Sequence, residues 1–161
     1  MPARLLAPLL VGVLLVACGA ATLGDGGGGR PAGSTAAPPQ VVFPSATVSV
    51  ELARTEAERG KGLGGHAPLG ERDGMLFIFD QPAPHAFWMK GMTFPLDIIW
   101  LDGGRVVHVA ADVPPPGPGD SDSTLPIYTP PAAARYVLEV NAGFAKRHGI
   151  GVGTRAEFRG L

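Results

Sequence analysis

The chain has 161 residues with 13 basic and 14 acidic side chains, a formal net charge of −1. That length holds one domain of modest size, and that balance leaves no basic stripe to neutralise a nucleic-acid backbone. Hydrophobic residues make up 45%, enough for a core, while 24 Gly and 17 Pro argue against a long helical bundle.

Residues 1–17 read as a lipoprotein leader. Arg4 supplies positive charge, an apolar run begins at Leu5, and Leu15-Val16-Ala17-Cys18 has the form of a bacterial lipobox. The run is too short for a spanning helix, which takes roughly twenty apolar residues. Cys18 is the only cysteine. Its diacylation, with cleavage before it, would give an exported lipoprotein held to a membrane at the cell envelope; the other reading is an ordinary signal peptide with an incidental Cys. No thiol then remains for a disulfide, a Cys-ligated zinc or a nucleophile. Residues 18–40 are expected to be the lipidated Cys and a flexible linker, because Gly, Ala, Pro, Ser and Thr dominate and no apolar period runs through them. Residues 24–29 satisfy G-x-G-x-x-G, but no strand precedes them and no helix follows, so dinucleotide binding fails on context.

Residues 41–161 read as a single β-rich domain. Val48, Val50 and Leu52 alternate with polar or small residues as in a half-buried strand. Thr55 and Glu58 form a capping-box pattern, which predicts a short helix ending at Gly60 or Gly62. Met75 to Phe79 is a short apolar run expected to be a buried strand, and Leu96–Leu101 with Val106–Ala110 flank Asp102-Gly103-Gly104 as a hairpin. His85, Phe87 and Met89 would share one face of a further strand, opposite Trp88 and Lys90. Residues 112–134, rich in proline, form a stiff strap or a gating or docking loop. Tyr136 to Val140 alternates again, Asn141 is placed to cap a helix over Ala142–His148 closed by Gly149, and Ala156–Phe158 makes a last strand. The expected fold is mainly β (α+β), a small barrel or strongly curved sheet of about seven strands with two short helices, since closure removes exposed edges.

Four ordered motifs carry a resemblance. They are Glu58-Arg59-x-x-Gly62-Leu63, then Gly74-Met75-Leu76-Phe77-Ile78-Phe79, then Phe87-Trp88-Met89-Lys90 with Pro95-Leu96-Asp97-Ile98, and lastly Tyr136-Val137-Leu138-Glu139-Val140 running on to Gly149-Ile150 and Val152-Gly153. Over residues 47–158 the chain resembles the domain of unknown function 192 family, also called uncharacterised protein family 0127. It departs from that family's common pattern at Gly64 and His66 and at Gly91-Met92-Thr93. The resemblance implies a compact β-barrel-like domain, frequently exported or membrane-tethered, without an established activity.

The common catalytic templates are absent: there is no G-x-S-x-G, H-E-x-x-H, Walker A or EF-hand loop. Asp97 lies between Leu96 and Ile98 in an apolar strand, where an ionised carboxylate must find partners or neutralise. With Lys90 as partner it is either a structural acid or a perturbed acid or base in a pocket. Glu139, inside Val-Leu-Glu-Val, invites the same two readings, with Arg54 or Arg59 as partner. His85, Met89 and Met92 form a soft donor set suited to Cu(I), or are core. Phe87 and Trp88 beside Lys90 and Asp97 make a candidate binding platform, or fill the barrel. The leading expectation is a lipid-anchored, non-catalytic module that binds a cell-envelope glycan or a partner protein. The alternatives are an envelope-polymer hydrolase or lyase using Asp97 with Lys90 or His85, and a Cu(I) carrier. No cofactor and no nucleic acid are expected.

Overall fold

The computed structural model describes residues 37–161. The leader, Cys18 and nearly all of the linker, and with them the lipobox reading, lie outside the described residues. Seven strands and two short α-helices follow in the order β1 (Gln40–Val42), β2 (Thr47–Ala53), α1 (Glu56–Lys61), β3 (Asp73–Ala83), β4 (Leu96–Asp102), β5 (Arg105–Val113), β6 (Ala134–Asn141), α2 (Phe144–Arg147) and β7 (Glu157–Arg159). They form one mixed sheet in the order β5-β4-β6-β3-β2-β1-β7. Only β2 and β3 are parallel. A parallel pair needs a crossover connection, and the segment carrying α1 supplies it.

The sheet curls into a half-barrel. Its two edge regions meet at one end, where Arg105 bridges Arg155. There the Val106 N–H donates to the Thr154 carbonyl at 2.9 Å and the Gly153 N–H to the Val106 carbonyl at 2.8 Å. The concave face is packed by Val41, Val48, Leu76, Ile99, Leu101 and Leu138, with Phe144 of α2 among them. A second core covers the other face of the central strands: Phe77, Ile98, Trp100 and Val137 pack under Phe87, Met89, Met92 and Phe94. Because β4 has a core on each side, Leu96 to Leu101 is buried throughout and reads as one apolar run.

Several expectations match closely. Thr55 Oγ accepts from the Glu58 N–H at 3.2 Å while Glu58 Oε2 accepts from the Thr55 N–H at 2.8 Å, so the capping box is formed and α1 stops at Gly62. Gly103 and Gly104 turn the β4–β5 hairpin with φ of 51° and 72°, the left-handed pair that a tight two-residue turn requires.

Two details differ. Residues 84–95 are not a strand; they run as irregular chain with one bridge, Phe87 to Tyr128. Their extended backbone still alternates, so Phe87 and Met89 are buried while Trp88 and Lys90 are exposed. The seventh strand is instead β1. Second, α2 begins at Phe144 with Gly143 at its N-cap, and Asn141 does not cap it. The Asn141 amide donates to the carbonyls of Leu69 at 3.1 Å and Gly70 at 2.9 Å, tying the end of β6 to the turn before β3. The proline-rich segment packs as a strap at Tyr128, whose N–H and carbonyl both pair with Phe87, at 2.8 and 2.9 Å.

Candidate functional site

The second core is not sealed. A cavity of about 470 Å³ opens between α1, the turn after it, β3 and the 84–95 segment. Phe77 and Phe79 of β3 form one wall, and Phe87, Trp88 and Met92 form another. Phe77 and Phe87 meet edge to face with centroids 4.9 Å apart, and the His85 ring stacks on Phe79 at 3.4 Å. Such pairs fix ring positions before any ligand arrives. Trp88 is 45% exposed at the mouth, with Lys90 Nζ 5.3 Å from its ring centroid.

Glu139 is the polar group of the floor. On β6 it lies between Met75 of β3 and Ile98 of β4, so its lateral neighbours in the sheet are apolar. The residue is 5% exposed, and among the described residues its carboxyl takes part in no side-chain hydrogen bond or ion pair. Among the described residues no side-chain oxygen or nitrogen sealed from solvent lacks a partner, so the Glu139 oxygens are reached from the cavity. Loss of hydration without compensating charge pushes its pKa up to about 8. At neutral pH Glu139 therefore keeps its proton and presents an O–H donor.

Neither of the arginines expected to partner Glu139 pairs with it. Arg59 donates through Nη1 to the carbonyls of Arg54 and of Ile78, the latter at 2.9 Å, and its guanidinium lies 5.0 Å from the Phe79 ring centroid. Arg59 thus lines the cavity as a held, planar cation. Arg54 is exposed and forms no ion pair with Glu139.

Asp97 is fully buried and outside the cavity lining. Its Oδ1 accepts from the N–H groups of Asp112 at 2.8 Å and Gly143 at 3.0 Å, and its Oδ2 from Ala145 at 2.8 Å. It caps α2 and holds Asp112 at a φ of 52°, the one left-handed non-glycine among the described residues. Lys90 is not its partner: the Lys90 ammonium lies 2.6 Å from Asp122 of the strap, both side chains being more than half exposed. The structure therefore gathers His85, Phe87, Trp88, Lys90 and Met92 on one cavity, and leaves Asp97 and Met89 out of its lining. Met89 is buried in the wall behind it. His85 Nε2 lies 3.2 Å from the Gln81 carbonyl, and no group of three His, Cys, Asp or Glu converges among the described residues.

Two glycines set the rim. A Cβ on Gly64 would stand 3.1 Å from the Lys61 carbonyl and 3.2 Å from that of Lys90. The Gly65 N–H donates to the Gly91 carbonyl at 3.0 Å. The two departures from the resemblance, at Gly64 and Gly91, thus lie against each other.

Fold and site together define a half-barrel whose convex face carries an aromatic cavity floored by a protonated acid. The chain belongs to the DUF192 family, described as an uncharacterized ACR, which matches residues 41–158. Among solved structures it is similar to a protein of unknown function from Novosphingobium aromaticivorans DSM 12444, at 36% identity and a TM-score of 0.64, over 74% of this chain and 83% of that one. It is also similar to a proposed transcription regulator from Sinorhizobium meliloti 1021, at 31% identity and a TM-score of 0.66, over 76% and 93% of the two chains. No curated protein matches it.

Proposed function

We propose that the protein is a non-catalytic binding module, tethered at the bacterial cell envelope by lipid on Cys18, and that the Glu139 cavity receives its ligand. The observation that carries the binding reading is the open cavity with preset aromatic walls and one unpartnered buried acid. Its size lies within the range of about 300–1,000 Å³ usual for small-molecule sites. Non-catalytic binding is favoured because no Ser, Thr, Cys or Asp lines the cavity, so no hydroxyl or thiol nucleophile stands beside a base there. A second reading, a lyase or hydrolase, is favoured by Glu139 alone, since an acid titrating near 8 is poised for proton transfer. In that case Glu139 replaces Asp97 as the acting group.

The regulator role named for the Sinorhizobium meliloti relative finds little support in this chain. Its net charge is −1, and its described α-helices have six and four residues, too short to lie along a major groove as a recognition helix does.

The binding reading is tested by thermal unfolding of the full chain against peptidoglycan fragments and oligosaccharides, since a ligand of the native state alone raises the melting temperature. A shift that disappears in Phe87→Ala supports it; turnover of any of these compounds that disappears in Glu139→Gln favours the enzyme instead. The tether is tested by fractionation: the protein should sediment with membranes and Cys18→Ser should not.

A further inference from the structure

The cavity's charges are unevenly placed. Arg59 and Lys61 from α1 and Lys90 from the 84–95 segment line the cavity against a single carboxyl group besides Glu139, that of Glu56; His85 is the other titratable group of the wall. The strands on either side of Glu139 place Met75 and Ile98 beside it. Lys90 is already paired with Asp122, whereas Arg59 is fixed by Nη1 alone and its other N–H donors meet no protein acceptor among the described residues. The floor offers a proton and the rim a planar fork. Both are donors, and a group satisfying both must be an acceptor with negative charge.

We propose that the cavity binds the carboxylate of a small acid with a ring or other apolar body, held by the Arg59 guanidinium at the rim and the Glu139 O–H at the floor. This rests on the reading of the cavity as the ligand site. Carboxylate is the matching anion because its two oxygens suit the guanidinium fork, while the aromatic walls cover an apolar body. A cation would meet like charge at the rim. Binding an anion beside Glu139 holds its proton more firmly, so affinity must fall as pH rises past the value near 8 at which the free acid ionises.

Three matched probes test it by calorimetric titration of the full chain: benzoate, benzyl alcohol and the permanent cation benzyltrimethylammonium. Benzoate is expected to bind tightest at pH 7 and to weaken about thirtyfold by pH 9.5, the change in the protonated fraction of an acid titrating near 8. In Glu139→Gln, whose amide keeps a donor and cannot ionise, the ratio of affinities at the two pH values should fall to about one. Preferred binding of the alcohol or the cation, lost in Phe87→Ala, overturns the carboxylate proposal and leaves the cavity as a ligand site. So does benzoate binding without pH dependence in the unaltered chain. Failure of all three probes overturns the carboxylate proposal, and the cavity reading then stands or falls on the thermal-unfolding panel.

Discussion

Asp97 and Glu139 occupy the same kind of sequence context, an acid between aliphatic residues in a strand, and meet opposite surroundings. Asp97 is met by three backbone N–H groups, which satisfy an ionised carboxylate as water would. Glu139 is met by side chains with nothing to donate and retains its proton. Replacing Asp97 with Asn removes the charge from three charge-assisted bonds and turns an NH2 toward a backbone N–H. A loss of about 3 kcal/mol is expected, read as a lower urea midpoint with an unchanged slope. Glu139 behaves differently with pH. Its folded pKa of about 8 lies above the ordinary 4.5, so its contribution is fully present below about 4.5, declines as pH rises towards 8, and then levels off, a total of about 5 kcal/mol. Glu139→Gln should flatten that decline and leave the variant more stable than the native chain at pH 9. Urea unfolding at pH 4, 7 and 9 measures it. Nothing in the flanking residues separates the two acids, because the amides that satisfy Asp97 come from 15, 46 and 48 positions away.

Elements with a local cause were legible in the sequence. The capping box at Thr55, the Gly103-Gly104 turn and the strands β2 and β6 each follow from neighbouring residues and form, but β6 does not alternate in burial, because a core on each face buries Val137 to Val140 throughout. Residues 84–95 misled because an extended loop packed on a core shows the same alternation as a strand; what distinguishes them is a ladder partner, and only Tyr128 provides one. Asn141 misled in a similar way, since the nearest polar side chain was displaced as a cap by an acid on another strand. The cavity itself arises where α1 and its turn, β3, β6 and the 84–95 segment meet, and no single stretch encodes it. Its rim offers a test at this scale. In Gly64→Val the new side chain collides with the carbonyls of Lys61 and Lys90, so the 84–95 segment must shift. The expected result is a folded protein with altered Trp88 fluorescence and loss of any ligand-induced rise in melting temperature.

Across the whole molecule, the two cores share the central strands β3, β4 and β6, so changes on the concave face are transmitted to the walls of the cavity by rigid backbone. The strand order, unlike the strands, was not readable: β1–β2, β2–β3 and β4–β5 pair sequence neighbours, β2–β3 only through a crossover, and the other three pairings join strands distant in the chain. One of these, between β1 and β7, joins Gln40 to Arg159. A chain delivered from its N-terminus, by a ribosome or through a secretion pore, therefore carries β1 with one side unmatched until Glu157–Arg159 has emerged, more than a hundred residues later. Truncation after Arg155 should preserve that exposed state permanently, giving soluble aggregates by size-exclusion chromatography where the full chain runs as a discrete species. Closure of this sheet edge is thus timed by the arrival of residues 157–159, and whatever accompanies the chain on its way must shield an open strand edge until then.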